Sequence, residues 1–242
     1  GFGPFAPGFA RVPFGDAEAC ERAIGPNTVA VFIEPVQGEA GIIIPPAGYL
    51  KRLREICTQH RVLLILDEIQ SGLGRTGKMF AHQHEAVLPD GLTIGKALSG
   101  GLYPVSAFVA TDEVMDVFKP GDHGSTYGGN PLAAAVAREA LRVLIDEGLV
   151  ENSAAMGQRL HDGIASFPQP KLDKIKELRH IGLWIGLELE HELGGARPYC
   201  VALMHRGMLC KDTHEHTIRL APPLVITADE VDWSLTQLAA VL

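Results

Sequence analysis

The segment Val62–Ile69, VLLILDEI, constrains the fold more than any other. Five apolar residues run without interruption into an Asp-Glu pair. A half-solvated strand alternates apolar and polar positions, whereas a continuous apolar run suits a strand covered on both faces. Val29–Val36 (VAVFIEPV) reads as a second strand of this kind, and Leu92–Ile94 and Ser106–Ala110 as shorter ones. Between the first two, Gly48–Arg61 carries a helical pattern, with Leu50, Leu53 and Ile56 or Cys57 on one face. Strand–helix alternation predicts an α/β fold built on a mostly parallel sheet.

The pattern changes further along. An Ala-rich helix is expected from about Pro131 to Glu147, with Asn130 as its cap and Pro131 in the first turn, where proline is tolerated. A second helix is expected over Ser153–Phe167. Beyond Pro168, Ile181–Leu189 and Thr217–Leu220 read as strands, and Tyr199–Arg206 and Ala228–Leu242 as helices. Thr227 and Glu230 form a capping box for the last of these. The change places a domain boundary near Glu147–Asn152. It divides residues 1–149, part of a large domain, from a small C-terminal α+β domain over 150–242.

Composition narrows the function classes. The net charge of the 242 residues is -8 and no Lys/Arg cluster stands out, which argues against a nucleic-acid partner. No apolar stretch approaches the ~20 residues that cross a bilayer, so no membrane partner is expected. Cys20, Cys57, Cys200 and Cys210 form no C-x-x-C pair, and such isolated cysteines suit a reducing compartment. The opening GFGPFAPGF is neither a signal nor a transit peptide and reads as a loop from within a longer protein.

Three features carry possible chemistry. Asp67 and Glu68 close an apolar strand, and in parallel sheets ligands bind beyond the carboxyl ends of strands. A carboxylate there needs a cation or donor, supplied either by the protein or by a ligand. Lys96, in TIGKALSGGLY, follows a short apolar run among small residues; it either faces solvent or is buried as an amine nucleophile and base. Asp122–Pro131, DHGSTYGGNP, offers glycine N–H groups with Ser125 and Thr126 ahead of a helix. That segment is either an anion-binding concavity or a Gly-rich turn with an Asn cap.

Taken together, the order and wording of these segments resemble the class III aminotransferases, of pyridoxal-phosphate fold type I, along almost the whole chain. The resemblance rests on EPVQGEAG (34–41), LDEIQSGLGRTG (66–77), GKALSGGLYPVSA (95–107), HGSTYGGNPL (123–132) and KDTHEHTIRLAPPL (211–224). Within the class, the third and fourth phrases are most similar to the ornithine aminotransferases. The resemblance implies pyridoxal 5'-phosphate as cofactor, covalently held by Lys96. Asp67 would pair with the pyridine nitrogen, Gln70 would contact the ring hydroxyl, and Ser125 and Thr126 would reach the phosphate from the neighbouring subunit of a homodimer. It also implies that Glu39 masks Arg219 while ornithine presents its δ-amine, and frees it to hold the α-carboxylate of 2-oxoglutarate. Glutamate semialdehyde and glutamate would be the products. Acetylornithine or 4-aminobutyrate transamination would reuse the same cofactor site. Glu34 is expected near the site in a structural or electrostatic role.

The resemblance begins partway into the family's sequence. It therefore implies that the N-terminal remainder, with the ring-stacking aromatic residue and part of the phosphate cradle, is a separate polypeptide. A mitochondrial address would lie in that remainder, so matrix and cytoplasm are both compatible with these residues.

Two patterns point elsewhere. GLGRTGK (72–78) has a P-loop skeleton and LILDE resembles a Walker B strand, which together describe a nucleotide hydrolase. Against this, Met79 stands where Mg²⁺ needs a Ser or Thr, and both motifs share one strand. His82/His84 and His214/His216 are H-x-H pairs without acids or cysteines at ligand spacing, so no metal site is expected.

Overall fold

The computed structural model describes residues 3–242. Helix α1 (Ala17–Ala23) is capped by Asp16, whose carboxylate accepts from Ala19 N–H at 2.8 Å. Strand β1 (Ala30–Ile33), helix α2 (Tyr49–His60) and strand β2 (Leu63–Asp67) form the first crossover unit. An irregular segment then leads to β3 (Gly91–Ile94), a 3₁₀ turn at Lys96–Ser99 and β4 (Ala107–Ala110). The sheet order is β1-β2-β3-β4; the first three strands are parallel and β4 is antiparallel to β3.

The helical face foreseen for α2 is the buried one. Leu53, Ile56 and Cys57 are fully buried and Leu50 nearly so, packed with Leu64 and Leu66 of β2. Ile56 and Cys57 thus both face the core. Side chains alternate across a strand, and the side opposite α2 leaves Phe32 58% exposed. The described residues supply a packed layer on one face only. Strand β1 is also shorter than the apolar run. It stops at Ile33, because Pro35 lacks an N–H and the chain folds into a loop closed by the Gln37–Ile43 bridge.

A short helix α3 (Asp112–Met115) precedes the Gly-rich segment, and α4 (Pro131–Asp146) follows it. Asn130 caps α4 as expected, accepting from Ala133 N–H at 2.9 Å. Helix α5 (Leu149–Ala165) begins four residues earlier than predicted. Gly148, at φ +63°, turns the chain between the two helices. Ser153, within the first turns of α5, is a buried tie, donating to the Arg75 carbonyl and accepting from Leu183 N–H.

The remaining elements are α6 (Gln169–Leu172), β5 (Ile175–His180), β6 (Ile185–Leu189), α7 (Arg197–His205), β7 (Lys211–Thr213), β8 (Thr217–Leu220) and α8 (Ala228–Val241). Strands β5-β6-β8-β7 make a wholly antiparallel second sheet. The predicted strand Ile181–Leu189 is really the second half of a hairpin. Its turn lies at Ile181–Trp184, where Gly182 takes φ +56°, and the first half is the charged segment IKELRH. That strand escapes an apolar pattern because ion pairs help hold it: Lys176 with Glu188 at 2.7 Å, and Arg179 with Glu188 at 2.6 Å. The Thr227–Glu230 capping box opens α8 as predicted.

The P-loop reading fails on context. Residues 72–78 form consecutive turns followed by a 3₁₀ turn at Ala81–His84, with no helix after Lys78 for a phosphate to cap. His82 and His84 are occupied by Glu68 and the Thr76 carbonyl.

Candidate active site

Three parallel strands deliver three ionisable residues to one edge. Glu34 follows the last residue of β1, Asp67 is the last of β2, and Lys96 lies two residues beyond β3. This is the carboxyl edge where α/β sheets bind ligands. Register places Asp67 beside Thr93, whose hydroxyl donates to Asp67 Oδ1 at 3.1 Å. The Ile69 N–H donates to the same oxygen at 3.0 Å. Oδ2 has no hydrogen-bond partner among the described residues.

The neighbouring acid is built differently. Glu68 is fully buried and accepts from Ser71 Oγ, Ala81 N–H, His82 N–H and His82 Nδ1, all within 3.0 Å. Its carboxylate is saturated by the protein. Of the acid pair read from the sequence, only Asp67 retains an acceptor for something else.

The described residues leave Lys96 exposed rather than buried. Its backbone takes φ +42°, a left-handed conformation uncommon for a residue with a side chain. Such strain gathers at functional sites. Glu34 is electrostatically coupled to both residues. Burial pushes its carboxyl up, the Gly38 N–H opposes that, Asp67 raises it further and Lys96 lowers it.

The EPVQGEAG loop completes the cluster. A side chain at Gly38 would overlap Gln70 Oε1, so glycine there lets the Gln70 amide lie against the loop backbone. Gln70 Oε1 is buried without a partner, while Nε2 donates to Glu39 Oε1 at 3.1 Å. Glu39 also receives Arg219 on Oε1 and Lys211 on Oε2, the latter at 2.8 Å. Lys211, then Arg219, then Gln70 hold the Glu39 carboxyl down at about 2. The sequence foresaw the Glu39–Arg219 pair but not Lys211. Its signal was the short turn HEH between Lys211–Thr213 and Thr217–Leu220, which makes a hairpin with Lys211 across from Arg219.

The second sheet fixes this loop. Arg179 Nε donates to the Gly41 carbonyl at 3.0 Å and Nη2 to Thr217 Oγ1 at 3.2 Å. Thr213 donates to the Glu39 carbonyl. Arg75 ties the segment after β2 to the same sheet, through the carbonyls of Leu183 at 2.8 Å and Pro222 at 2.7 Å. Burial pulls its guanidinium down to about 10. Sequence reading missed both: Arg75 acts through backbone carbonyls, which leave no residue pattern, and Arg179 joins the Gly41 carbonyl to Glu188 and Thr217, which only the folded sheet brings together.

Ser125 and Thr126 stand apart. They lie on an exposed segment, and Ser125 Oγ accepts from Gly128 N–H at 3.0 Å. No hydrogen bond joins either to Asp67, Gln70 or Lys96 among the described residues. The structure thus brings together Asp67, Gln70, Lys96, Glu39 and Arg219, and leaves the Gly-rich segment outside.

The fold and sequence have known counterparts. A family model described as "Aminotransferase class-III" matches residues 1–242. An ornithine aminotransferase of Bordetella pertussis is 54% identical over all 242 residues, which span 58% of that protein. Among solved structures, an ornithine aminotransferase of Toxoplasma gondii superposes with a TM-score of 0.95 at 45% identity, covering 99% of this chain and 57% of that one. An acetylornithine aminotransferase of Elizabethkingia anophelis gives 0.90 at 44% identity, covering 98% and 60%. The chain therefore spans somewhat over half the length of the relatives it matches, and it belongs to the class III aminotransferase family.

Proposed function

We propose that this chain carries the catalytic centre of a pyridoxal-phosphate enzyme that moves the δ-amino group of ornithine to 2-oxoglutarate. The observation that carries the substrate assignment is Glu39, bound at once to Arg219, Lys211 and Gln70 beside Asp67 and Lys96. In this reading residues 1–149 and 150–242 are parts of a large and a small domain, and the assembly is a homodimer.

The residues fit the cofactor. Asp67 Oδ2 is an acceptor without a protein donor, as a protonated pyridine nitrogen requires. Gln70 Oε1 is a buried acceptor without a partner, suited to a ring hydroxyl. Lys96 is an accessible amine on the same edge. When bound, pyridoxal phosphate supplies an electron-accepting ring conjugated to the substrate amine. Asp67 holds the proton on the ring nitrogen. Lys96 would anchor the cofactor, and its amine would take and return the proton at the reacting substrate carbon, which positioned acid–base groups do for about 10²–10⁴-fold in rate. Ser125 and Thr126 serve the phosphate of the partner subunit.

Glu39 decides which substrate carboxylate is welcome. Engaged with Glu39, Arg219 offers no free fork to the α-carboxylate of the amine donor, and ornithine enters by its δ-end. When Glu39 withdraws, Arg219 takes the carboxylate of 2-oxoglutarate by paired charge-assisted hydrogen bonds.

Rates with ornithine, acetylornithine and 4-aminobutyrate, measured side by side with 2-oxoglutarate, test the reading. Ornithine should give the highest kcat/KM. A clear preference for acetylornithine, the donor named for the Elizabethkingia relative, would overturn the substrate assignment.

A further inference from the structure

Arg219 has a second cation directly opposite it. Strands β7 and β8 pair antiparallel with Lys211 across from Arg219. Residues so placed have β-carbons about 5 Å apart on one face of the sheet, and like charges there destabilise the pair. Glu39 lies between the two and cancels the repulsion, with Oε1 on Arg219 and Oε2 on Lys211 at 2.8 Å. The Lys211 side chain is 57% exposed and that of Arg219 16%. The carboxylate therefore bridges an inner cation and an outer one, with Gln70 sharing the inner oxygen.

We propose that Lys211 is a positioning residue for acceptor specificity, keeping Glu39 by its outer oxygen while Arg219 turns to an incoming dicarboxylate. The inference rests on the reading of Glu39 as the mask of Arg219. Its physics is a charge count. Two cations and one carboxylate leave the cluster at +1, so an arriving carboxylate is attracted and Glu39 has a partner to retain. Without Lys211 the cluster is neutral. Arg219 then leaves Glu39 with no cation, and a bare carboxylate faces the anionic substrate.

The test is a mutant cycle read on the two substrates separately. Lys211→Met should raise KM for 2-oxoglutarate by about two- to fivefold more than any change in KM for ornithine, the scale of an exposed charge pair. Lys211→Arg, which keeps the charge, should restore most of the loss. Calorimetric titration with glutarate, an unreactive dicarboxylate, should show the same loss of affinity. In a Glu39→Gln background, Lys211→Met should change glutarate affinity by a much smaller factor. Equal effects on both substrates, no loss of glutarate affinity, or an equal factor in both backgrounds would overturn the proposal. If the wild-type protein rejects ornithine, the substrate reading fails, yet the glutarate cycle still reports on the coupling of Lys211 to Glu39.

Discussion

In the β1–β4 sheet, Leu64 and Leu66 are buried under α2 while Phe32, on the other face, is 58% exposed. In the β5–β8 sheet, Leu187, Leu189 and Ile218 are fully buried, packed with Leu160, Ile164, Leu203 and Leu238 of the surrounding helices. The parallel sheet sends successive strand ends to one edge, and that edge holds Glu34, Asp67 and Lys96. The antiparallel sheet supplies no strand-end cluster of this kind. It contributes instead a rigid frame from which Arg179, Lys211, Thr213 and Arg219 reach across to the loop carrying Glu39. The difference teaches that the groups proposed to react and those proposed to select the substrate have different supports. The first depend on strand ends, the second on the register of a hairpin.

Core truncation separates the two sheets most widely. Leu187→Ala should cost about 2–5 kcal/mol, because a fully buried leucine leaves a cavity. Phe32→Ser should cost less, about 1 kcal/mol, because much of the ring is already in water. Chemical denaturation of both variants measures this, and similar losses would erase the contrast.

The adjacent acids sharpen the comparison within one strand end. Glu68→Gln replaces an acceptor oxygen with a donor among four donors, leaving at least one buried donor unpaired at about 1–3 kcal/mol. Asp67→Asn should leave stability nearly unchanged and lower kcat by about 10²–10³-fold, the scale of a lost preorganised charge. Paired melting curves and turnover numbers decide it; a destabilised Asp67→Asn protein with normal turnover would reverse the two roles.

A smaller effect belongs to the antiparallel sheet. Lys176, with Arg179, holds the Glu188 carboxyl at about 2, below its ordinary 4.5. A carboxylate whose pKa is depressed on folding stabilises above about 4.5 and loses that contribution as pH falls toward about 2. Melting temperatures of wild type and Glu188→Gln should therefore differ at pH 5 and converge by pH 2. A gap that stays constant over this range would show that the ion pairs contribute nothing.

How far the sequence spoke follows the same division. The unbroken run VLLIL located β2 because burial demands apolar residues. The Thr227 capping box located the start of α8 because its chemistry is local. Strands β5 and β7 were silent, since charged residues break the apolar pattern that marks a strand and only the hairpin pairing reveals their partners. The strand-end positions of Asp67 and Lys96 were legible through motif order. Lys211 was not, because its meaning arises only when β7 lies against β8. The spare valence of Asp67 beside the saturated Glu68 was equally hidden, for the donors to Glu68 come from residues 71–82 folding back.

The central claim is that the edge holding Asp67 and Lys96 is where the cofactor is bound, with Lys96 as its covalent anchor. Borohydride reduction of the protein with pyridoxal phosphate, followed by peptide mass mapping, tests it directly. The account predicts a stable pyridoxyl mass on the peptide containing Lys96. A label on a different lysine, or none, would contradict it.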